Sequence, residues 1–171
     1  MNRQIPLEHA AHAQLLRKET LGNTIATAVI AALLTWLIFH REGSVDMLSA
    51  PPGGMFGIIP GTFNFTLLVT IGLTLVTRRR VSRGQYLRRR RVGAGWIERL
   101  PGNVLLRALL LAPSLTLVLV PLAYALMWGG IRAGLWPAQW ALWGVFLFYV
   151  LYFVLLSLIV TPLVVWRGLG D

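Results

Sequence analysis

Four long apolar runs dominate the sequence and limit what it can fold into. They cover approximately residues 22–39, 61–77, 103–128 and 138–166. A run of about 18 or more apolar residues is long enough to cross the hydrocarbon core of a bilayer as a helix. A helix satisfies its own backbone hydrogen bonds, so it is one of the few structures that can span lipid. The sequence therefore predicts an all-α polytopic membrane protein with four transmembrane helices.

The composition agrees with a protein that lies largely inside a membrane. Of the 171 residues, 56% are hydrophobic and only 13% are charged, whereas about a quarter of the residues of a soluble domain are charged. The spans leave too little chain for a second core, so we expect residues 1–171 to form a single membrane domain. The chain has no cysteine, which excludes disulfides, thiol catalysis and cysteine-ligated metals.

A basic stretch at residues 78–91 separates two apolar halves. Eight of its fourteen residues are arginine and none is acidic. It divides the chain into an N-terminal segment (1–21), a first helical hairpin (22–77), a basic loop (78–102) and a second helical hairpin (103–166).

The distribution of positive charge predicts the orientation of the spans. If residues 1–21, 78–102 and 167–171 share one side with Arg107, that side holds fourteen of the sixteen Lys and Arg residues. Only Arg41 and Arg132 then lie opposite. Loops rich in Lys and Arg stay in the cytoplasm. We therefore expect an integral protein of a bacterial inner membrane with both termini cytoplasmic.

The same arginines are candidate contacts for membrane lipids, especially anionic headgroups. Each arginine near an anionic surface adds about 1 kcal/mol of binding free energy. Nucleic acid is not an expected partner, because only Tyr86 and Trp96 could stack on bases near this charge. The predicted lipid contacts are Arg78, Arg79, Arg80, Arg83, Arg88, Arg89, Arg90, Arg91 and Arg107.

Threonines recur along one face of the second span. Thr62, Thr66, Thr70 and Thr74 are spaced by four residues, which stacks them on one side of a helix. Thr24 and Thr35 belong to a similar face of the first span. Two interpretations stay open. The threonines form a packing seam whose hydroxyls bond the carbonyl four residues earlier, or they line a path for a substrate or ion.

Residues 6–20 precede the first span and have only a modest apolar face. We expect them to form a short N-terminal helix that lies at the membrane interface.

The two halves of the chain resemble each other. Asn23 and Asn103 occupy matching places near the first and third spans, as do Glu19 and Glu98, and a link with the pattern GG…G…P follows in each half. We interpret the asparagines as helix caps and the glutamates as interfacial charges. The pattern predicts two parallel helical-hairpin repeats about an axis along the membrane normal.

No constellation of catalytic residues is visible. None of the acidic residues or histidines lies inside a span, and His9 and His12 lack a third ligand for a metal. We therefore expect no enzyme, no cofactor and no metal. The sequence favours an accessory, interaction or oligomerising subunit, as a homo-oligomer or within a larger membrane complex. The alternative is a small oligomeric transporter or channel with a threonine-lined path between the hairpins.

Overall fold

A computed structural model describes residues 4–49, 54–86 and 96–170, with side chains for 12–49, 54–86 and 97–170. Four long helices make up almost all of it. In chain order the elements are α1 (Gln4–Phe39), β1 (Ser44–Asp46), α2 (Ile58–Ser82), a short 3-10 helix (Trp96–Arg99), α3 (Val104–Arg132), β2 (Gln139–Ala141) and α4 (Leu142–Leu169).

Each of the four helices contains a stretch long and apolar enough to cross a membrane. Their outward surfaces carry large apolar side chains, among which Leu117 is 75% exposed, Trp143 73% and Leu68 66%. Extended apolar surface of this kind is rare on soluble proteins, and lipid would cover it. The prediction of an all-helical integral membrane protein with four spans is confirmed at this level.

The first helix differs from the expectation. Residues 6–20 and the first span form one uninterrupted helix, Gln4–Phe39, instead of an interfacial helix followed by a span. No proline separates the two parts, and Gly22 lies inside the helix, where a Cβ atom would have open space around it. A single glycine costs a helix interior about 1 kcal/mol, which is too little to break it.

The helix α4 lies between α1 and α2 in the bundle. α1 packs on α4, while α2 packs on both α3 and α4. This set of contacts is unchanged when α1 is exchanged with α3 and α2 with α4. Such a pattern is what two parallel hairpin repeats would produce, although the repeat itself remains a prediction.

Local chemistry explains where α3 begins and where α2 and α3 end. Asn103 has an extended backbone, and its side chain accepts hydrogen bonds from the backbone N–H groups of Leu105 and Leu106 at 2.9 and 3.3 Å. It is therefore the N-cap of α3, as its sequence position indicates. Gly84 and Gly134 follow α2 and α3 with φ of 69° and 71°, a left-handed conformation that glycine adopts without strain.

One end of the bundle is closed by the two linking loops, and we call it the opposite end. β1 and β2 pair there as an antiparallel ladder with Val45 facing Trp140. Beneath the ladder, Met47 and Met55 are buried in an apolar cluster that includes Tyr149 of α4. This packing fixes α2 and α4 relative to the loop that leads into α2.

The other end, which we call the basic end, holds most of the described cationic residues. α2 and α4 finish there and α3 begins there. Arg41 and Arg132 lie at the opposite end. Arg17, Lys18, Arg78, Arg79, Arg80, Arg83, Arg99, Arg107 and Arg167 belong to the basic end.

Candidate functional site

The threonine seam of α2 lies in the interior of the bundle. We define it as Thr62, Thr66, Thr70, Thr74 and Thr77. The first four have no exposed surface and Thr77 is 3% exposed. The spacings of four and three residues therefore turn the whole row toward the neighbouring helices and away from lipid.

The two ends of the seam hydrogen-bond to other helices. The Thr62 hydroxyl donates to the carbonyl of Ile58 at 2.6 Å and lies 2.7 Å from the Tyr152 hydroxyl of α4, which can donate to it. At the basic end, Arg107 of α3 donates to the Thr74 hydroxyl at 3.4 Å. A Cβ atom at Gly168 would lie 3.2 Å from the Thr77 side chain, so α4 approaches the seam closely there.

The middle of the seam is different. The hydroxyl oxygens of Thr66 and Thr70 are buried and have no hydrogen-bond partner among the described residues. The bond to the carbonyl four residues earlier, expected for a packing seam, is therefore made by Thr62 but not by these two. An unsatisfied buried hydroxyl costs about 1–3 kcal/mol of stability.

The predicted threonines of α1 also face inward. Thr35 is 2% exposed and its hydroxyl donates to the carbonyl of Ala31 at 2.7 Å. The Thr24 hydroxyl lies 3.2 Å from that of Ser157 in α4. Both residues therefore lie on the face of α1 that meets α4.

A polar cluster that sequence reasoning missed joins α1 to α4. The side-chain amide of Asn23 donates to the hydroxyls of Ser157 and Thr161 at 3.0 and 2.7 Å. The interpretation of Asn23 as a helix cap is wrong, because α1 continues through this position. Polar residues inside apolar runs are the signal that could have found the cluster, since interhelical hydrogen bonds hold membrane helices together.

Three arginines at the basic end bind three consecutive carbonyls. Arg167 of α4 donates to the carbonyl of Leu100 at 3.1 Å, and Arg107 of α3 donates to that of Pro101 at 3.0 Å. Arg78 of α2 donates to the carbonyl of Gly102. We call these contacts the carbonyl tie. It joins the ends of three helices through the segment that precedes α3.

The tie changes the role expected of two predicted lipid contacts. Arg107 has no exposed surface, so it is not a headgroup contact in this structure. Its guanidinium turns inward because Pro101 and Thr74 offer oxygen atoms at hydrogen-bonding distance. Arg78 is half-buried and bonded to Gly102.

An ion pair connects α1 to α2 at the basic end. Arg80 binds the carboxylate of Glu19 and also donates to the Tyr86 hydroxyl. The Tyr86 hydroxyl donates to the same carboxylate at 2.6 Å. Burial, followed by the hydrogen bond to Glu19, raises the pKa of Tyr86 above its usual value, so the hydroxyl stays protonated and able to donate near neutral pH.

Two of the predicted lipid contacts keep an exposed position. Arg79 and Arg83 are exposed where α2 leaves the bundle. Arg99 is exposed as well, on the short 3-10 helix. Arg88, Arg89, Arg90 and Arg91 lie outside the described residues.

A groove runs between α1 and α2. Its volume is about 380 Å³, and it exists because α1 leans on α4 instead of on α2. A Cβ atom at Gly61 would lie 2.7 Å from the ring of Phe153, which forms the floor of the groove. The lining includes Ala26 and Ala31 of α1 and two asparagines, Asn23 and Asn64. Sequence reasoning missed Asn64, a single amide inside an apolar span.

In the part of the chain that the structure covers, no group of three or more His, Cys, Asp or Glu side chains is close enough to hold a metal ion. Glu19 of α1 pairs with Arg80 of α2, and Glu98 lies on a separate element, the 3-10 helix that precedes α3.

Comparisons with family models, with curated proteins and with solved structures give no match for this chain.

The unsatisfied hydroxyls lead to a stability prediction. We expect Thr66→Val and Thr70→Val each to raise the free energy of unfolding by about 1 kcal/mol, because each replaces an unpaired buried hydroxyl with a methyl group of similar shape. Thr62→Val is the matched control and should lower it by about 1 kcal/mol, since the Tyr152 hydroxyl then loses its partner.

Reversible unfolding in mixed micelles, followed by circular dichroism, measures all three variants. A loss of stability in Thr66→Val equal to that in Thr62→Val would show that the Thr66 hydroxyl has a partner in the folded protein. The effect of Thr62→Val should shrink in a Tyr152→Phe background, because the two residues share one bond.

Proposed function

We propose that this chain is a non-enzymatic integral membrane protein that acts as an interaction or oligomerising subunit and holds its basic end against anionic lipid headgroups. The observation that carries the proposal is the sorting of the arginines. Arg107 and Arg167 are used inside the bundle, whereas Arg79 and Arg83 remain exposed where a helix leaves it. Arginine side chains that stay exposed at this end are available to bind headgroups.

The proposal includes an orientation. The basic end faces the cytoplasm of a bacterium, so the protein lies in the inner membrane with both termini cytoplasmic. The two hairpins are then parallel repeats, in agreement with a contact pattern that is unchanged when the halves are exchanged. The rest of the bundle supports a structural role, because its buried polar groups serve mostly to hold helices to each other.

Lipid binding is tested at the two exposed arginines. We expect the double variant Arg79→Gln, Arg83→Gln to weaken binding of phosphatidylglycerol by about 30-fold at low ionic strength, since each arginine adds about 1 kcal/mol near an anionic surface. Native mass spectrometry of lipid adducts measures the affinity. The matched control is Arg41→Gln, Arg132→Gln at the opposite end, which should leave it unchanged. Equal effects of the two double variants would contradict a specific role for the basic end.

Orientation is tested with single cysteines, for which this cysteine-free chain is a clean background. Gly43 is exposed with open space around it, and Ser82 is exposed at the end of α2. An impermeant maleimide should label Gly43→Cys in spheroplasts, and should label Ser82→Cys only after the membrane is permeabilised. The reverse pattern would overturn the proposed orientation.

A second candidate function is a small oligomeric transporter or channel. The observation that favours it is the pair of unpaired hydroxyls at Thr66 and Thr70, which lie between Tyr152 and Arg107 along the seam and could hold water or an ion. This function predicts ion or solute flux in proteoliposomes that falls at least tenfold in Thr66→Val and Thr70→Val. Flux that survives both changes, or that is absent in the unaltered protein, would show that the threonine seam only packs helices together and lines no path.

A further inference from the structure

The groove between α1 and α2 opens sideways, toward the space that lipid occupies. Ile30 and Leu34 of α1 and Leu68 of α2 line it and are 57%, 52% and 66% exposed. The Glu19–Arg80–Tyr86 contacts join the two helices at the basic end. The groove is therefore a lateral recess in the membrane-spanning part of the bundle, with α1 and α2 as its two walls.

Asn64 is the polar residue that lipid cannot accommodate in this recess. It is exposed, it lies six residues inside α2, and its side chain makes no hydrogen bond to any described residue. A carboxamide has two donor hydrogens and an acceptor oxygen, and hydrocarbon can pair with none of them. An unpaired amide in such surroundings is unfavourable, so its presence points to a partner that supplies both a donor and an acceptor.

Small side chains of α1 form part of the wall of the recess. α1 presents Ala26, Thr27 and Ala31 to it. On the other side of the bundle, leucines of α3 fill the corresponding space beside α4: Leu111 is buried in a cluster with residues of α4, and Leu115 and Leu119 pack against the same cluster. Small residues let a second helix approach a membrane helix closely.

We propose that the occupant of the groove is a second copy of this chain, related by a two-fold axis along the membrane normal, with the two Asn64 amides hydrogen-bonded to each other. The inference rests on the oligomerising role proposed above and names its interface. Two-fold dimers are the commonest oligomers.

Symmetry makes a second copy the fitting partner. Copies inserted with the same orientation place Asn64 at the same depth, so two α2 helices that face each other bring the amides together without further adjustment. An amide is also self-complementary, because the N–H of each copy can donate to the oxygen of the other. An acyl chain would fill the recess of each copy but leave its Asn64 amide unpaired.

The dimer would also cover the apolar rim. Leu68 lies one turn from Asn64 on the same side of α2, and its exposed surface would be buried in the partner's groove. Asn23 adds a second polar point, since its amide hydrogens are used by Ser157 and Thr161 while its oxygen accepts no hydrogen bond within the described chain.

Cross-linking of single cysteines locates the interface. We expect Leu68→Cys to form a disulfide-linked dimer when copper phenanthroline is added to native membranes. Leu117→Cys is the matched control, because Leu117 is 75% exposed but lies on α3, which contributes nothing to the groove. Cross-linking of Leu68→Cys alone supports the proposal, and cross-linking of Leu117→Cys alone overturns it.

A second measurement tests the role of the amide. We expect Asn64→Leu to raise the dimer dissociation constant in liposomes by about 5- to 10-fold, measured by energy transfer between labelled copies. Asn64→Gln keeps the donor and acceptor and should retain most of the affinity. Because Asn64 is exposed, the monomer of each variant should unfold as the unaltered protein does. A dissociation constant that Asn64→Leu leaves unchanged overturns the proposal.

The remaining outcomes separate this inference from the proposed function. A dimer that persists in Asn64→Leu and cross-links through another face overturns the inference but keeps the oligomerising role. A protein that stays monomeric in bilayers and binds no other protein overturns both. A monomer that carries one phospholipid in native mass spectrometry, and loses it in Asn64→Leu, identifies the groove as a lipid site and overturns the second copy as its occupant.

Discussion

The structure depends on the fact that hydrocarbon offers neither hydrogen bonds nor a hydrophobic drive between helices. Helices that are apolar on all sides would pack on one neighbour about as well as on another. In this chain, a few polar groups on otherwise apolar helices determine which helices pack together. α4 carries Ser157 and Thr161 for Asn23 of α1, and Tyr152 for Thr62 of α2. Its position between α1 and α2 follows from these pairs.

The same constraint explains which features the sequence could predict. The four spans and the inward face of Thr62, Thr66, Thr70 and Thr74 follow from hydropathy and helical period, which are local properties. The cap at Asn103 is local too, because its partners are two and three residues away. No tertiary information was needed for any of them.

What the sequence did not predict depends on partners far along the chain. Asn23 and Asn103 look alike in sequence, yet Asn23 bonds residues more than 130 positions away. Arg107 was expected to reach the headgroups and instead turns to a carbonyl of the preceding loop and to α2. The groove exists because α1 and α2 do not pack on each other. Hydropathy does not predict which helices pack together, so the groove could not be predicted from it.

The carbonyl tie has a consequence for how the protein is made. A chain is synthesised from its N-terminus, so α3 is made before α4. When α3 inserts, Arg107 and Arg78 can already bind the carbonyls of Pro101 and Gly102, but the carbonyl of Leu100 still lacks Arg167. The fourth helix therefore supplies the last of the three donors, so the tie is complete only once the final span has been made.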